Sequence, residues 1–239
     1  MWSERHSNLE GNMAMMRFDK DTIRRLMTNL VVCRQRLAFY SEADFQFTLA
    51  EEIKEQFKEN AKIYLEHPLA SDGKARFDII VDIENHVFPI ELKYKTRKLK
   101  VPKHGIIPPF EFSGKQSNAA LFSRAQLLLD VQRIEELRSI SGFEKGYALW
   151  LTNDHKFWNW DWKNRKEKPL GTQFDVSHGE TKKGSLQWEV GQSKAAERGE
   201  SVFLKDSYTI EWEEYSQVPD EPYGILKYAI VEVKGATGK

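Results

Sequence analysis

The chain has a single cysteine, Cys33, among its 239 residues. An intramolecular disulfide is thereby excluded, and a reducing, cytoplasmic setting is the expectation. No charge of either sign is in excess, since 36 basic side chains balance 36 acidic ones. A uniformly basic coat for nucleic acid is excluded, although a local basic patch is not. No apolar run approaches the ~18 residues of a membrane span. The polar opening MWSERHSNLEGNMAMM lacks the apolar segment of a signal peptide, so no membrane partner is expected. The six histidines form no HExxH or other ligand pair, which leaves a zinc site without support. Neither GxxxxGK(S/T) nor GxGxxG occurs, so nucleotide hydrolysis by those routes has no support either. Cys33 falls in a predicted buried helix with no histidine beside it, an unsuitable setting for a catalytic thiol.

What is present is a clear alternation of helical and strand patterns. After a loose leader over 1–15, Ile23, Met27, Leu30, Val31 and Leu37 follow the 3.6-residue period and predict a helix from Phe18 to Tyr40. Ser41 and Asp44 are spaced as a capping box and open a second helix that runs to about Asn60. Leu65–Gly73 reads as a loop. Arg76–Ile83 and Val87–Tyr94 read as a β-hairpin, followed by a basic and then Pro- and Gly-rich loop over Thr96–Gly114. Asn118–Ser139 is a predicted helix and Lys145–Thr152 a buried strand. Residues 154–200 show little pattern; Ser201–Tyr215 and Ile225–Val233 carry strand signals. This order predicts an α/β fold, a mixed sheet with helices on its faces. Residues 1–40 would be an N-terminal extension and helix, 41–152 the core, and 153–239 a C-terminal elaboration of the same domain with additional strands.

The hairpin RFDIIVDIENHVFPIELKYK carries carboxylates where a buried strand should not want them. Side chains alternate faces along a strand. Phe77, Ile79, Val81 and Ile83 share one face, and Asp78, Ile80 and Asp82 the other. If Glu84-Asn85 is a two-residue turn, Ile83 lies opposite His86, and counting back places Asp78 opposite Glu91. Cβ atoms so paired are about 4.5–5.5 Å apart. Like charges that close repel and raise each other's pKa. The fold must supply a cation. Lys93, on the same face as Glu91, is one source; a hard divalent cation held by two carboxylates and a backbone carbonyl is another. Such a metal polarises a phosphoryl oxygen and generates hydroxide, and a neighbouring lysine can steer or deprotonate the water. The competing reading is a solvated ion cluster. Ile80, Val87 and Pro89 on the same face argue that it is at least partly covered.

FDIIV followed by IELKYK resembles the signature of the PD-(D/E)XK nuclease superfamily, which includes many restriction endonucleases and Holliday-junction resolvases. Asp78 matches the motif's aspartate, and Glu91, Leu92 and Lys93 match its (D/E)-x-K; Phe77 stands where the motif has proline. Family members often begin the core with a helix bearing a glutamate, and SEADFQFTLAEEI resembles that helix. The likeness covers Ser41 to Thr152. It implies a restriction-endonuclease-like three-layer core, a central mixed β-sheet flanked by helices. It further implies a Mg²⁺-dependent nuclease, with Mn²⁺ as substitute, whose substrate is nucleic acid and most often DNA. Asp78, Glu91, the Leu92 carbonyl and a helix glutamate would hold the metal, and Lys93 would assist the attacking water. Glu42 falls on the apolar stripe of Phe45, Leu49, Ile53 and Phe57, whereas Glu51 points away and Glu52 lies to one flank. Glu42 is therefore the glutamate chosen. A catalytically silent module of the same fold, binding DNA or a protein, is the alternative.

Secondary signals point to phosphate contacts. Lys98, Lys100 and Lys103 follow the ExK strand in the run KYKTRKLKVPKH, and Lys115 precedes the next helix. On that helix Gln126, Asp130 and Arg133 share a face, which reads as an internal salt-bridge set; in the resembling superfamily such a helix can point a glutamine toward the site. Phe157, Trp158, Trp160 and Trp162 read as core filling or a packed lid, with base stacking as the alternative. Double-strand cutting uses two sites, with which a homodimer of two-fold symmetry would agree.

Overall fold

The computed structural model describes residues 17–69, 76–102, 109–112, 119–188 and 201–235. The 1–15 leader, Lys103 and Lys115 lie outside the described residues.

Two helices open the chain. Helix α1 spans Lys20–Val32, and the Asp19 side chain accepts the N–H of Thr22 at its start. It ends well before the predicted Tyr40, because Cys33 closes it and Gln35 turns left-handed at φ 55°. Cys33 is consequently exposed rather than buried. Helix α2 spans Glu42–Phe57. Ser41 caps it by accepting the N–H of Asp44 at 3.1 Å, and the Asp44 carboxylate reaches back to the N–H of Tyr40 at 2.8 Å. The reciprocal bond thus lands one residue earlier than in a strict capping box.

Residues 65–68, expected as the start of a loop, belong to a strand. β1 spans Ala61–Pro68. Its outer residues Tyr64 and Leu65 are exposed, so the apolar alternation that marks a half-buried strand is missing from the sequence. β2 (Arg76–Ile83) and β3 (His86–Lys95) form the expected hairpin. Glu84 and Asn85 both have positive φ, 53° and 66°, as a tight two-residue turn requires. The register runs from Ile83↔His86 to Ile79↔Ile90. β4 (Leu99–Val101) and β5 (Phe110–Phe112) pair within the stretch taken for loop. Helix α3 spans Ala119–Glu136, and β6 spans Lys145–Thr152. β7 (Thr181–Leu186) and β8 (Val202–Thr209) make a second small sheet, and β9 (Trp212–Gln217) and β10 (Ile225–Lys234) complete the chain.

Six strands form the central sheet in the order β1-β2-β3-β6-β10-β9. Only β3 and β6 run parallel; the other neighbours are antiparallel. The fold is therefore mixed α/β. On one face α1 and α2 pack Leu26, Leu30, Leu49 and Ile53 against Ile79, Val81, Ile90 and Leu149 of the sheet. On the other, α3 and the β7–β8 pair pack Leu128, Val131, Ile134 and Leu204 against Ile80, Ala148 and Val231. Each fully buried aliphatic side chain contributes about 1.5–3 kcal/mol by leaving water. Phe77 belongs to this second layer rather than with Ile79, so strict alternation fails at Asp78. The strand is irregular there: Glu66, across from Asp78 on β1, has φ 50° and leaves the β1–β2 ladder unpaired at that point.

Helix α3 lies close to the sheet because β6 offers a glycine. A Cβ on Gly146 would stand 2.2 Å from Ile134 Cγ2 and 3.2 Å from the Pro89 ring. That approach brings Asp130 and Arg133, one turn or less from Ile134, over β3. Among the described residues no helix is long and apolar enough to cross a membrane.

Candidate active site

The hairpin's polar face is covered. Glu91 is 1% exposed, and Ile80 and Pro89 are buried beside it. A solvated ion cluster is therefore excluded at this position. What covers it is α3, and α3 brings opposite charges. Arg133 Nη1 lies 2.9 Å from Glu91 Oε1, and Asp130 Oδ2 lies 3.6 Å from Lys93 Nζ. Residues two apart on the strand thus meet residues three apart on the helix. The Glu91 contact lacks hydrogen-bond alignment, so Oε1 is buried with no hydrogen-bond partner, as is Asp130 Oδ2.

Asp78 and Glu91 face each other only approximately, because the β2–β3 ladder stops at Ile79↔Ile90. Beyond it, Asp78 Oδ2 accepts the N–H of Leu92 at 2.6 Å, a side chain replacing the next ladder bond. Lys93 Nζ donates to the Leu92 carbonyl at 2.9 Å. Glu42, in the first turn of α2, accepts the N–H of Tyr94 at 2.7 Å and places its other oxygen 4.0 Å from Lys93 Nζ. Glu52 is elsewhere, bonded to Asn29 and Arg34. Glu42, Asp78, Glu91, Leu92 and Lys93 are thus gathered where β3 passes between α2 and α3.

The electrostatics follow from burial. It pushes the Glu91 carboxyl up to about 9, with Asp130 and Asp78 adding repulsion and Arg133 and Lys93 opposing it. It raises Asp130 to about 7, against the pull of Lys93 and Arg133. Asp78 also sits above its ordinary value, burial outweighing the Leu92 hydrogen bond. For Lys93 burial acts downward, and the carboxylates of Asp130, Glu42, Asp78 and Glu91 outweigh it. The surrounding carboxylates therefore favour Lys93 as an ammonium. That state favours stabilising negative charge over taking a proton from water, which narrows the role expected from the sequence.

Four carboxylates (Glu42, Asp78, Glu91, Asp130) lie around Lys93 and Arg133, with Glu66 a fifth near Asp78, so negative groups are in formal excess. The raised carboxyl values mean that protons absorb this excess when nothing else does. A divalent cation is its charge complement, and the oxygen-only donor set suits Mg²⁺ or Mn²⁺. The residues therefore fit the metal that the sequence implies. No three His, Cys, Asp or Glu side chains among the described residues stand close enough together to hold an ion.

Two participants escaped the sequence reading. Gln46, one turn after Glu42 on α2, donates from Nε2 to the Asp78 carbonyl at 2.5 Å and to Glu66 Oε1 at 2.9 Å. Its i+4 spacing from Glu42 was the available signal. Glu66 had none, lying in the segment taken for a loop. Of the trio Gln126, Asp130 and Arg133, the two charged members do form intramolecular ion pairs: they stand 3.9 Å apart, and their closer partners are Lys93 and Glu91 on β3. Gln126, on the same helix, is exposed.

The outlying candidates are dispersed. Lys98 is exposed and pairs with Glu111 at 3.2 Å, and Lys100 is exposed with its backbone N–H donating to Glu221. Of the aromatic group, Phe157 is buried, Trp162 donates from Nε1 to Asp175 at 2.6 Å, and the Trp160 ring covers the Arg124 guanidinium at 3.6 Å. Those three rings pack against the fold, as the core or lid reading expected.

No family model, curated protein or solved structure matches the chain.

Proposed function

We propose that this protein is a Mg²⁺-dependent nuclease with a restriction-endonuclease-like core, hydrolysing phosphodiester bonds of nucleic acid and most readily those of DNA. One observation carries the proposal: at the Asp-hairpin-ExK positions Glu42, Asp78, Glu91 and Asp130 outnumber Lys93 and Arg133, with Glu91 and Asp130 buried and the others part-buried. An uncompensated buried charge is costly, and the excess of carboxylates here is met either by protons or by a cation.

Asp78, Glu91, Glu42 and the Leu92 carbonyl would hold the metal. When bound, Mg²⁺ supplies Lewis-acid polarisation of a phosphoryl oxygen and a bound water of lowered pKa. Lys93, held as an ammonium beside the Leu92 carbonyl, offers positive charge to the transition state and a proton to the leaving oxygen. Exposed Lys98, just before β4, and Lys100 on it would track the phosphate backbone, with Lys103, Lys115 and Gln126 as further candidates. A cytoplasmic setting agrees with the free thiol of Cys33, and a homodimer would supply the second site for a double-strand cut.

The second reading, a silent module that binds DNA or a protein, is favoured by a different observation. Lys93 already occupies the Leu92 carbonyl, and Arg133 already sits on Glu91. The two readings separate in a plasmid-cleavage assay with Mg²⁺ or Mn²⁺ and a chelator control, run beside calorimetric titration of Mn²⁺. The nuclease reading expects metal-dependent nicking. It also expects Lys93→Ala to keep Mn²⁺ binding while cleavage falls by about 10²–10⁴-fold. Lys93→Arg should not restore it, because the guanidinium is bulkier and does not give up its proton. Metal-bound protein that leaves the plasmid intact would make the silent module the better account.

A further inference from the structure

We infer that Asp130 is a positioning residue that fixes the Lys93 ammonium from the α3 side, an inference that rests on the nuclease reading. Asp130 is 4% exposed and shares its helix face with Leu127 and Ile134. Nothing in that packing wants a carboxylate. Its Oδ2 atom is buried with no hydrogen-bond partner, and a buried polar group left so is costly to keep. Among the described residues its carboxylate is engaged through ion pairs alone. Its cationic neighbours are Lys93 Nζ at 3.6 Å across the site and, on its own helix, Arg133 Nη1 at 3.9 Å.

Lys93 needs such a partner. A lysine side chain is a flexible stem with a compact charge at its end. Here one ammonium hydrogen is spent on the Leu92 carbonyl at 2.9 Å, directly beside the residue's own backbone. That bond alone leaves the charge free to swing toward Glu42 Oε1, 4.0 Å away on a side chain that is 39% exposed. Asp130 opposes this from the buried side. The ammonium is thereby held between α2 and α3, over the Asp78–Glu91 pair, with its direction set before a phosphate arrives. A misplacement of 1 Å in a reacting group can cost about 10²-fold in rate. Asp130 acts through Lys93, and no contact with substrate is assigned to it.

The test is a cycle of Asp130→Asn, Asp130→Glu, Lys93→Ala and the double variant Asp130→Asn/Lys93→Ala in the full chain. Each is assayed for Mn²⁺-dependent plasmid cleavage, Mn²⁺ affinity, thermal stability and the lysine ammonium NMR signals of the metal-free protein. Asp130→Asn should lower kcat by about 10–100-fold, the usual effect of losing a group that orients a reacting residue. KM for DNA and melting temperature should stay close to wild type, and Asp130→Glu should recover part of the rate. The double variant should be no slower than Lys93→Ala alone, because both losses remove one function. The Lys93 ammonium signal, identified by its absence in Lys93→Ala, should be present in the wild type and lost in Asp130→Asn. Full additivity in the double variant, or a collapse of stability in Asp130→Asn, would each overturn the inference. If the wild type does not cleave, the nuclease reading falls by itself. The NMR comparison still decides the positioning: a Lys93 signal retained in Asp130→Asn overturns it, and a signal lost there supports it.

Discussion

The carboxylate of Glu42 accepts the backbone N–H of Tyr94 at 2.7 Å, a bond across 52 residues that pins the first turn of α2 to the end of β3. The other oxygen of the same side chain stands 4.0 Å from Lys93. One residue therefore joins the helix to the strand and helps to set the charge around the lysine. Glu42→Gln keeps an acceptor for Tyr94 and removes the charge. Its melting temperature should stay close to wild type, while Mn²⁺ affinity measured by calorimetry should fall by about 10–100-fold. Unchanged affinity would remove Glu42 from the metal-holding set.

Asp78 has a second duty that its place in the sequence does not announce. Its Oδ2 caps the Leu92 N–H at 2.6 Å, so truncation leaves a donor unpaired. Asp78→Ala should lose about 1–3 kcal/mol of stability in urea melts with chelator present. Asp78→Asn retains an oxygen acceptor and should melt near wild type. Cleavage should be abolished in both. Equal stability of the two variants would show that the Leu92 bond contributes nothing.

Glu91 should make the metal-free protein less stable as pH rises. Its carboxyl titrates at about 9 in the fold, mainly through burial, against 4.5 ordinarily. Between those values the folded chain holds a proton that the unfolded chain has released, so stability falls with increasing pH across that window. Asp130 adds the same sign between 3.8 and about 7. Glu91→Gln cannot titrate. Its stability advantage over wild type should grow from mildly acidic to mildly alkaline buffer and shrink when Mn²⁺ is added. A constant difference across that range would mean that Glu91 is ionised throughout.

Lys98 and Lys100 carry the phosphate-tracking role in the proposal. Neutralising both should weaken DNA binding and flatten its salt dependence, each lost phosphate contact lowering the slope of log K against log salt by about 0.9 for duplex DNA. Lys98 also has Glu111 as a neighbour at 3.2 Å, so Glu111→Gln should steepen the slope if that pair competes with phosphate. Identical slopes in all three proteins would assign the lysines to ordinary solvent-facing charge.

The hairpin, its register and the gathering of Glu42, Asp78, Glu91 and Lys93 were legible in the linear sequence for a local reason. Strand alternation has a period of two, and a two-residue turn at Glu84-Asn85 fixes which residues oppose each other. The stripe of α2 fixed the face of Glu42 in the same way. Helix α3 and β6 were visible because their apolar runs are long enough to read alone. Other features depended on contacts between distant segments. β1 hides because Tyr64, Leu65 and Glu66 are exposed at the sheet edge, where burial imposes no pattern. Phe77 changes layers because Glu66, across from Asp78, takes a left-handed conformation that interrupts the ladder. The partners of Glu91 and Lys93 were decided last of all. Arg133 and Asp130 reach them because Gly146 lets α3 settle onto the sheet, and no periodicity in α3 can say which strand it will cover. Local backbone geometry determines which side chains share a face, and packing between layers determines which charges they meet.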